Sequence, residues 1–236
     1  MKNKFFSFSL LLIFLVTTIF PPMNNYLVPV TGEIKLSSEV VNINTRTISY
    51  KSFFQFIKNV TEKRSGNQIV GMIAPNQFSL PIVQQPVGRP DFVSNEAEVV
   101  TEFSLTKKFG STGLLAHNHL AGLNFSSLQV NDLIVLVTAN KEYKFFKIEK
   151  IRTYQALSPN SPYSEFVDLD NPSNVLSAVD LFMEVYTDED SLVIQTCIAQ
   201  GNEPSWGRLF VQAYPVSGIG IQELIDFQDQ RIRVSF

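Results

Sequence analysis

The 236-residue chain holds one cysteine, Cys197, and two histidines, His117 and His119. A single cysteine excludes an internal disulfide, and two histidines confine imidazole chemistry to one short stretch. Charged residues make up only 17% of the chain, with a net charge of −3. That balance gives no electrostatic case for a nucleic-acid partner. There is no internal repeat, no low-complexity segment and no coiled-coil period. Alanine is sparse, whereas phenylalanine occurs twenty times. Aromatic and β-branched side chains pack well on pleated surfaces, so this composition points to sheets.

The N-terminus reads as an export signal. Lys2 and Lys4 precede an unbroken apolar or hydroxyl run from Phe5 to Phe20, which Pro21-Pro22 terminates. The run falls between a signal-peptide core of about 7–15 residues and a spanning helix of about 20. No small-x-small cleavage site stands just before Asn24. Residues 1–23 are therefore expected to be a signal peptide or an N-terminal membrane anchor. The lysines stay cytoplasmic, and the rest of the chain lies outside, anchored or, if cleaved, secreted. Residues 24–66 read as a tether with a short helix around Ser49–Lys58, and residues 67–236 as one domain.

Within that domain, short β-branched or aromatic runs are bounded by Gly, Asn, Pro or Asp. They are Ile69–Ala74, Phe78–Val83, Val99–Phe103, Thr112–His117, Leu133–Thr138, Glu142–Ile151, Ser191–Cys197 and Arg208–Pro215. Asn140-Lys141 is a plausible hairpin tip. Leu123–Leu128 and Ser177–Val185 read as short helical turns, the second capped by Ser177 with Asp180 at its third position. The fold class expected is mainly β: one closed or near-closed barrel of about eight short strands with one or two short helices.

A lone cysteine outside the cytoplasm is a reactive thiol, an intermolecular bridge or a buried passenger. Nucleophilic cysteine chemistry needs a thiolate, a proton carrier and a group that holds the developing oxyanion. His117 and His119 end a strand-like run, and on an extended chain they point the same way, so spacing does not choose between them. Arg208 opens the run after Cys197, across a segment, Ile198 to Gly207, that reads as a loop. A strand, a loop and a returning strand place Arg208 beside Cys197. Its permanent charge and several donors suit a carbonyl or an oxyanion.

Taken together, the segments Leu114-Leu115-Ala116-His117-Asn118, Ser191 through Thr196-Cys197, and Gly207-Arg208-Leu209-Phe210-Val211 resemble the sortase family. Val70 to Pro75 followed by Leu80-Pro81-Ile82-Val83 looks like the opening strands of a sortase barrel, so the likeness spans roughly residues 68 to 216. The resemblance implies a membrane-anchored cysteine transpeptidase. Cys197 is then the nucleophile, His117 the general acid and base, Arg208 the substrate and oxyanion clamp, and Thr196 a shaper of the substrate groove. His119 becomes a bystander. The implied partners are a sorting-signal peptide of surface proteins and an amine acceptor on the cell wall or another protein.

No cofactor or metal is expected; calcium would need converging carboxylates. Asp168, Asp170, Asp180, Asp188, Glu189 and Asp190 read instead as part of a long solvated loop from Ser158 to Asp190. Two other functions fit the same residues. One is a cysteine hydrolase with water as acceptor, although the papain-like order places cysteine before histidine, the reverse of this chain. The other is an exported barrel that binds a surface partner and keeps Cys197 as a small buried hydrophobe.

Overall fold

A computed structural model describes residues 52–218. The expected anchor at 1–23, most of the tether and the last residues of the chain lie outside the described residues. Among the described residues no helix is long and apolar enough to cross a membrane.

Ten strands form one sheet: β1 (Ile69–Ala74), β2 (Phe78–Gln84), β3 (Val100–Phe103), β4 (Thr112–Leu115), β5 (Leu133–Thr138), β6 (Tyr143–Ala156), β7 (Glu165–Asp168), β8 (Val175–Ser177), β9 (Leu192–Gln200) and β10 (Glu203–Pro215). Their order is β10-β9-β4-β3-β2-β1-β5-β6-β7-β8, and β10 pairs again with β6. That second pairing closes eight strands into a barrel and leaves β7 and β8 outboard on the far half of β6. The mainly β barrel expected from the sequence is therefore what the chain forms.

Three apolar clusters account for the layers. Met72, Ile82, Leu114, Ile134, Ile148, Ile194 and Val211 fill the barrel. Outside it, the helix α1 over residues 52–61 lays Phe53, Ile57 and Val60 on Val70, Ile73, Val135 and Val137. Those three helix positions share one face at a 3.6-residue period. Gly71 lets α1 come close, since a Cβ there would lie 3.1 Å from the Phe56 ring. A second helix, α2 (Ala178–Tyr186), packs Leu181, Phe182, Val185 and Tyr186 over Phe103, Tyr154, Phe166 and Phe210.

Several elements differ from the sequence expectation for local reasons. The strand expected over Thr112–His117 ends at Leu115, because the His117 carbonyl turns to accept the Leu120 and Gly122 N–H groups, each at 3.0 Å. A 3₁₀ turn, Ala121–Ser127, follows. The expected loop from Ile198 to Gly207 is almost entirely strand, with β9 and β10 joined at a tight turn around Gly201, whose φ is 59°. The expected loop from Ser158 to Asp190 contains β7, β8 and α2. Ser177 caps α2 as expected, accepting from the Asp180 N–H at 3.1 Å and donating to its carboxylate at 2.6 Å.

Phe103 packs edge-on to both Phe182 and Tyr186, with centroids 6.2 and 5.5 Å apart. Phe103→Ala should therefore lower the unfolding free energy by about 3–5 kcal/mol, as for other buried aromatics. Ser177→Ala, which loses only a cap, should cost about 1 kcal/mol. Urea unfolding followed by circular dichroism orders the two, and a smaller loss at Phe103 than at Ser177 would contradict this packing.

Candidate active site

Strands β4 and β9 run parallel, with Leu115 opposite Gln195. Their C-terminal ends, and with them His117 and Cys197, emerge at the same end of the barrel. Strand β10 returns antiparallel to β9 and places Arg208 directly opposite Cys197. Side chains opposite one another in an antiparallel pair project to the same face with Cβ atoms about 4.5–5.5 Å apart. The ladder between β4 and β9 continues past Leu115, as the Ala116 N–H donates to the Gln195 carbonyl at 3.2 Å. The structure thus brings together Cys197, Arg208 and the stem of the His117 turn.

Arg208 is only 1% exposed. One of its terminal nitrogens, Nη1, donates to the Ser205 and Gly207 carbonyls, both at 2.8 Å. Its guanidinium lies over the ring of Phe166 on β7, 5.7 Å from the centroid, an arrangement that favours a cation. Burial lowers the Arg208 pKa, while neighbouring Cys197 and Glu203 oppose that shift. Glu203 is fixed in turn: it accepts from the Ser205 N–H at 3.0 Å and from the Asn160 amide at 3.4 Å.

His117 is half-buried, and its Nε2 has no hydrogen-bond partner among the described residues. Burial depresses its pKa below the ordinary 6.5, the nearby His119 lowers it further, and a hydrogen bond with the Val93 backbone pulls the other way. His119 is exposed, with its ring 5.5 Å from that of His117. The two rings are neighbours in different surroundings rather than equivalent positions on one strand.

Thr196 is buried, and its hydroxyl donates to the Ala116 carbonyl at 2.9 Å. It faces the turn behind His117. A Cβ on Gly122 would lie 2.3 Å from that hydroxyl and 2.7 Å from the His117 carbonyl, so only glycine fits. Among the described residues no group of three or more His, Cys, Asp or Glu is placed to hold a metal ion.

Val93, Asn118, Gly122, Phe166 and Glu203 support the site, yet sequence reasoning did not single them out. Backbone carbonyls carry no side-chain signature, and Phe166 is one of twenty phenylalanines. Gly122 alone left a clue, as a glycine inside a helical turn often marks close approach.

The lowered His117 pKa sets a pH dependence of stability. The unfolded chain takes up the proton near 6.5, before the folded one does. The neutral imidazole's contribution is therefore full above that value and declines as pH falls through it towards the lower folded pKa. His117→Gln should flatten this acid-side decline in urea midpoints measured from about pH 8 to 5, the window in which histidine titrates. An unchanged slope would contradict the burial argument.

No family model matches the chain, and no curated protein matches it. Among solved structures the chain is similar to sortase C from Clostridium perfringens SM101, at 14% identity and a TM-score of 0.42, covering 76% of this chain and 93% of that one. It is similar to sortase C1 from Streptococcus suis, at 13% identity and 0.44, covering 79% and 91%. It is also similar to sortase A from Corynebacterium diphtheriae, at 12% identity and 0.44, covering 78% and 88%. At these identities the likeness concerns the barrel, and any chemistry has to be argued from the side chains of this chain.

Proposed function

We propose that the protein is an extracytoplasmic cysteine transpeptidase of the sortase type, held at the membrane through residues 1–23. The observation that carries this reading is the direct pairing of Cys197 with Arg208 across β9 and β10, with His117 leaving the adjacent strand end. Cys197 is half-buried, neither sealed in the core nor fully exposed. That suits a nucleophile that must meet a peptide and stay sheltered from water.

The Cys197 thiolate attacks the carbonyl carbon of a peptide bond in a sorting signal. The carbonyl oxygen becomes an oxyanion, which the Arg208 guanidinium stabilises. As the C–N bond breaks, protonated His117 gives its proton to the leaving amine, and a thioester remains on Cys197. An amine of the cell wall or of another protein then attacks the thioester. His117 takes up the proton of that amine, a new amide leaves, and the thiolate is restored. A depressed pKa makes protonated His117 a stronger acid towards the leaving amine, at the cost of a smaller protonated share at neutral pH. No cofactor enters the cycle.

Two results test the reading on the full chain in detergent. Cys197→Ala should form no adduct with a peptide vinyl sulfone by intact mass, and no acyl-enzyme with a sorting peptide, while keeping the wild-type circular dichroism spectrum. Arg208→Lys keeps the charge but loses the planar fork, and transfer should fall about a hundredfold or more, the usual cost of removing an oxyanion donor. Transfer retained in Cys197→Ala would end the proposal. Acid rather than amide as the main product, with an amine acceptor in excess, would replace it with a hydrolase.

A further inference from the structure

The ladder between β9 and β10 is interrupted at its open end. Glu203 pairs with Gln200, and the next pair is Gly207 with Ile198. Pro204, Ser205 and Trp206 therefore form a bulge in β10, the kind of irregularity that re-aims groups beside a site. Proline has no N–H to offer the ladder and its φ is fixed. On the other flank the Ser205 N–H is held by the Glu203 carboxylate at 3.0 Å. The bulge thus presents two consecutive carbonyls in fixed directions. The Ser205 carbonyl accepts from Arg208 at 2.8 Å. The Pro204 carbonyl accepts from the side-chain amide of Asn118, also at 2.8 Å.

Asn118 directly follows His117. The residue before the histidine, Ala116, is tied to β9 through the Gln195 carbonyl and the Thr196 hydroxyl. The residue after it is tied to β10 through the bulge. The histidine is thereby bracketed between the strand that bears Cys197 and the strand that bears Arg208. We propose that Asn118 is a positioning residue for this site: its amide, bonded to the Pro204 carbonyl, holds the His117 turn in register with the bulge that orients Arg208. The inference rests on the acyl-transfer reading above. It adds that proton carrier and oxyanion clamp are held by neighbouring carbonyls of one bulge, so that loosening the bulge misplaces both.

The test uses the full chain in detergent and two readouts. The first is the rate of Cys197 alkylation by iodoacetamide, by intact mass, as a function of pH. The second is the emission of Trp206, which lies in the bulge and is the only tryptophan in the chain. Wild type, Asn118→Ala, Asn118→Gln, His117→Ala and Arg208→Ala are compared. Loss of one hydrogen bond should lower the neutral-pH rate in Asn118→Ala by about three- to tenfold. The midpoint of its pH profile should move towards that of His117→Ala, the high-pH plateau should be unchanged, and Trp206 emission should shift. Asn118→Gln, which keeps the amide, should recover much of the rate; Asn118→Leu, of similar shape but without a donor, should behave as Asn118→Ala and carries the test if the alanine variant does not fold. A wild-type pH profile in Asn118→Ala, whatever its melting temperature, would overturn the positioning role if His117→Ala still shifts the profile. If His117→Ala and Arg208→Ala also leave the profile unchanged, the acyl-transfer reading itself fails, and the role of Asn118 with it.

Discussion

Strand β10 is hydrogen-bonded along both edges, to β9 on one side and to β6 on the other. That double pairing is the constraint from which the rest follows. It removes the open edge of the barrel, and it fixes what stands on either side of Arg208: Cys197 on β9 and Tyr154 on β6. A slip of one residue in either ladder would turn every side chain of β10 to the opposite face. Arg208 would then leave Phe166 and the thiol together. Gly207 helps to hold the register, since a Cβ there would lie 2.6 Å from the Tyr154 carbonyl. The neighbouring Tyr154 hydroxyl donates to Glu184 of α2 at 3.2 Å, and Arg152 pairs with the same carboxylate. The helix that covers this side of the barrel is therefore fastened to the strand that flanks the arginine.

A guanidinium that is 1% exposed has lost most of its water, and a buried charge is costly unless its donors are satisfied. Two backbone carbonyls, an aromatic face and the Glu203 carboxylate offset that cost here. All of this is incurred on folding. Under the proposed function, negative charge developing on a substrate carbonyl would meet a cation already oriented, and little solvent would have to reorganise. Burial acts in the same direction on the histidine, since desolvation favours its neutral form too. The arginine keeps its charge because its ordinary pKa lies far above neutrality, whereas the histidine starts near 6.5 and is moved towards its neutral form.

The elements that the sequence made legible are those whose ends coincide with turn chemistry. Ile69–Ala74 is followed by Asn76 at φ 64°, and Leu133–Thr138 by a turn with Lys141 at φ 64°, so β1 and β5 begin and end where the pattern says. β7 and β8 were not legible, because they are four and three residues long and lie among Asp, Asn and Ser. Gly201, Pro204 and Gly207 looked like one loop, yet each has a separate role in a hairpin: turn, bulge and close approach. At the candidate site, the adjacency of Cys197 and Arg208 on neighbouring strands was legible. The inward position of Thr196 was not, because it depends on a partner carbonyl eighty residues away in the chain.

That position gives the threonine before Cys197 a specific meaning. Along β9 successive side chains alternate, so Thr196 and Cys197 face opposite ways. The thiol faces outward, half-buried, and the inward hydroxyl holds the Ala116 carbonyl at the root of the histidine turn. Gly122 sits where any side chain would strike both that hydroxyl and the His117 carbonyl. Its own N–H bonds to the same His117 carbonyl at 3.0 Å. Serine at 196 would keep the donor but lose the methyl that fixes the rotamer of a β-branched residue. Valine would leave the Ala116 carbonyl buried without its side-chain donor. The strand that carries Cys197 is therefore also the floor on which the histidine turn is built, and displacing either one displaces the other.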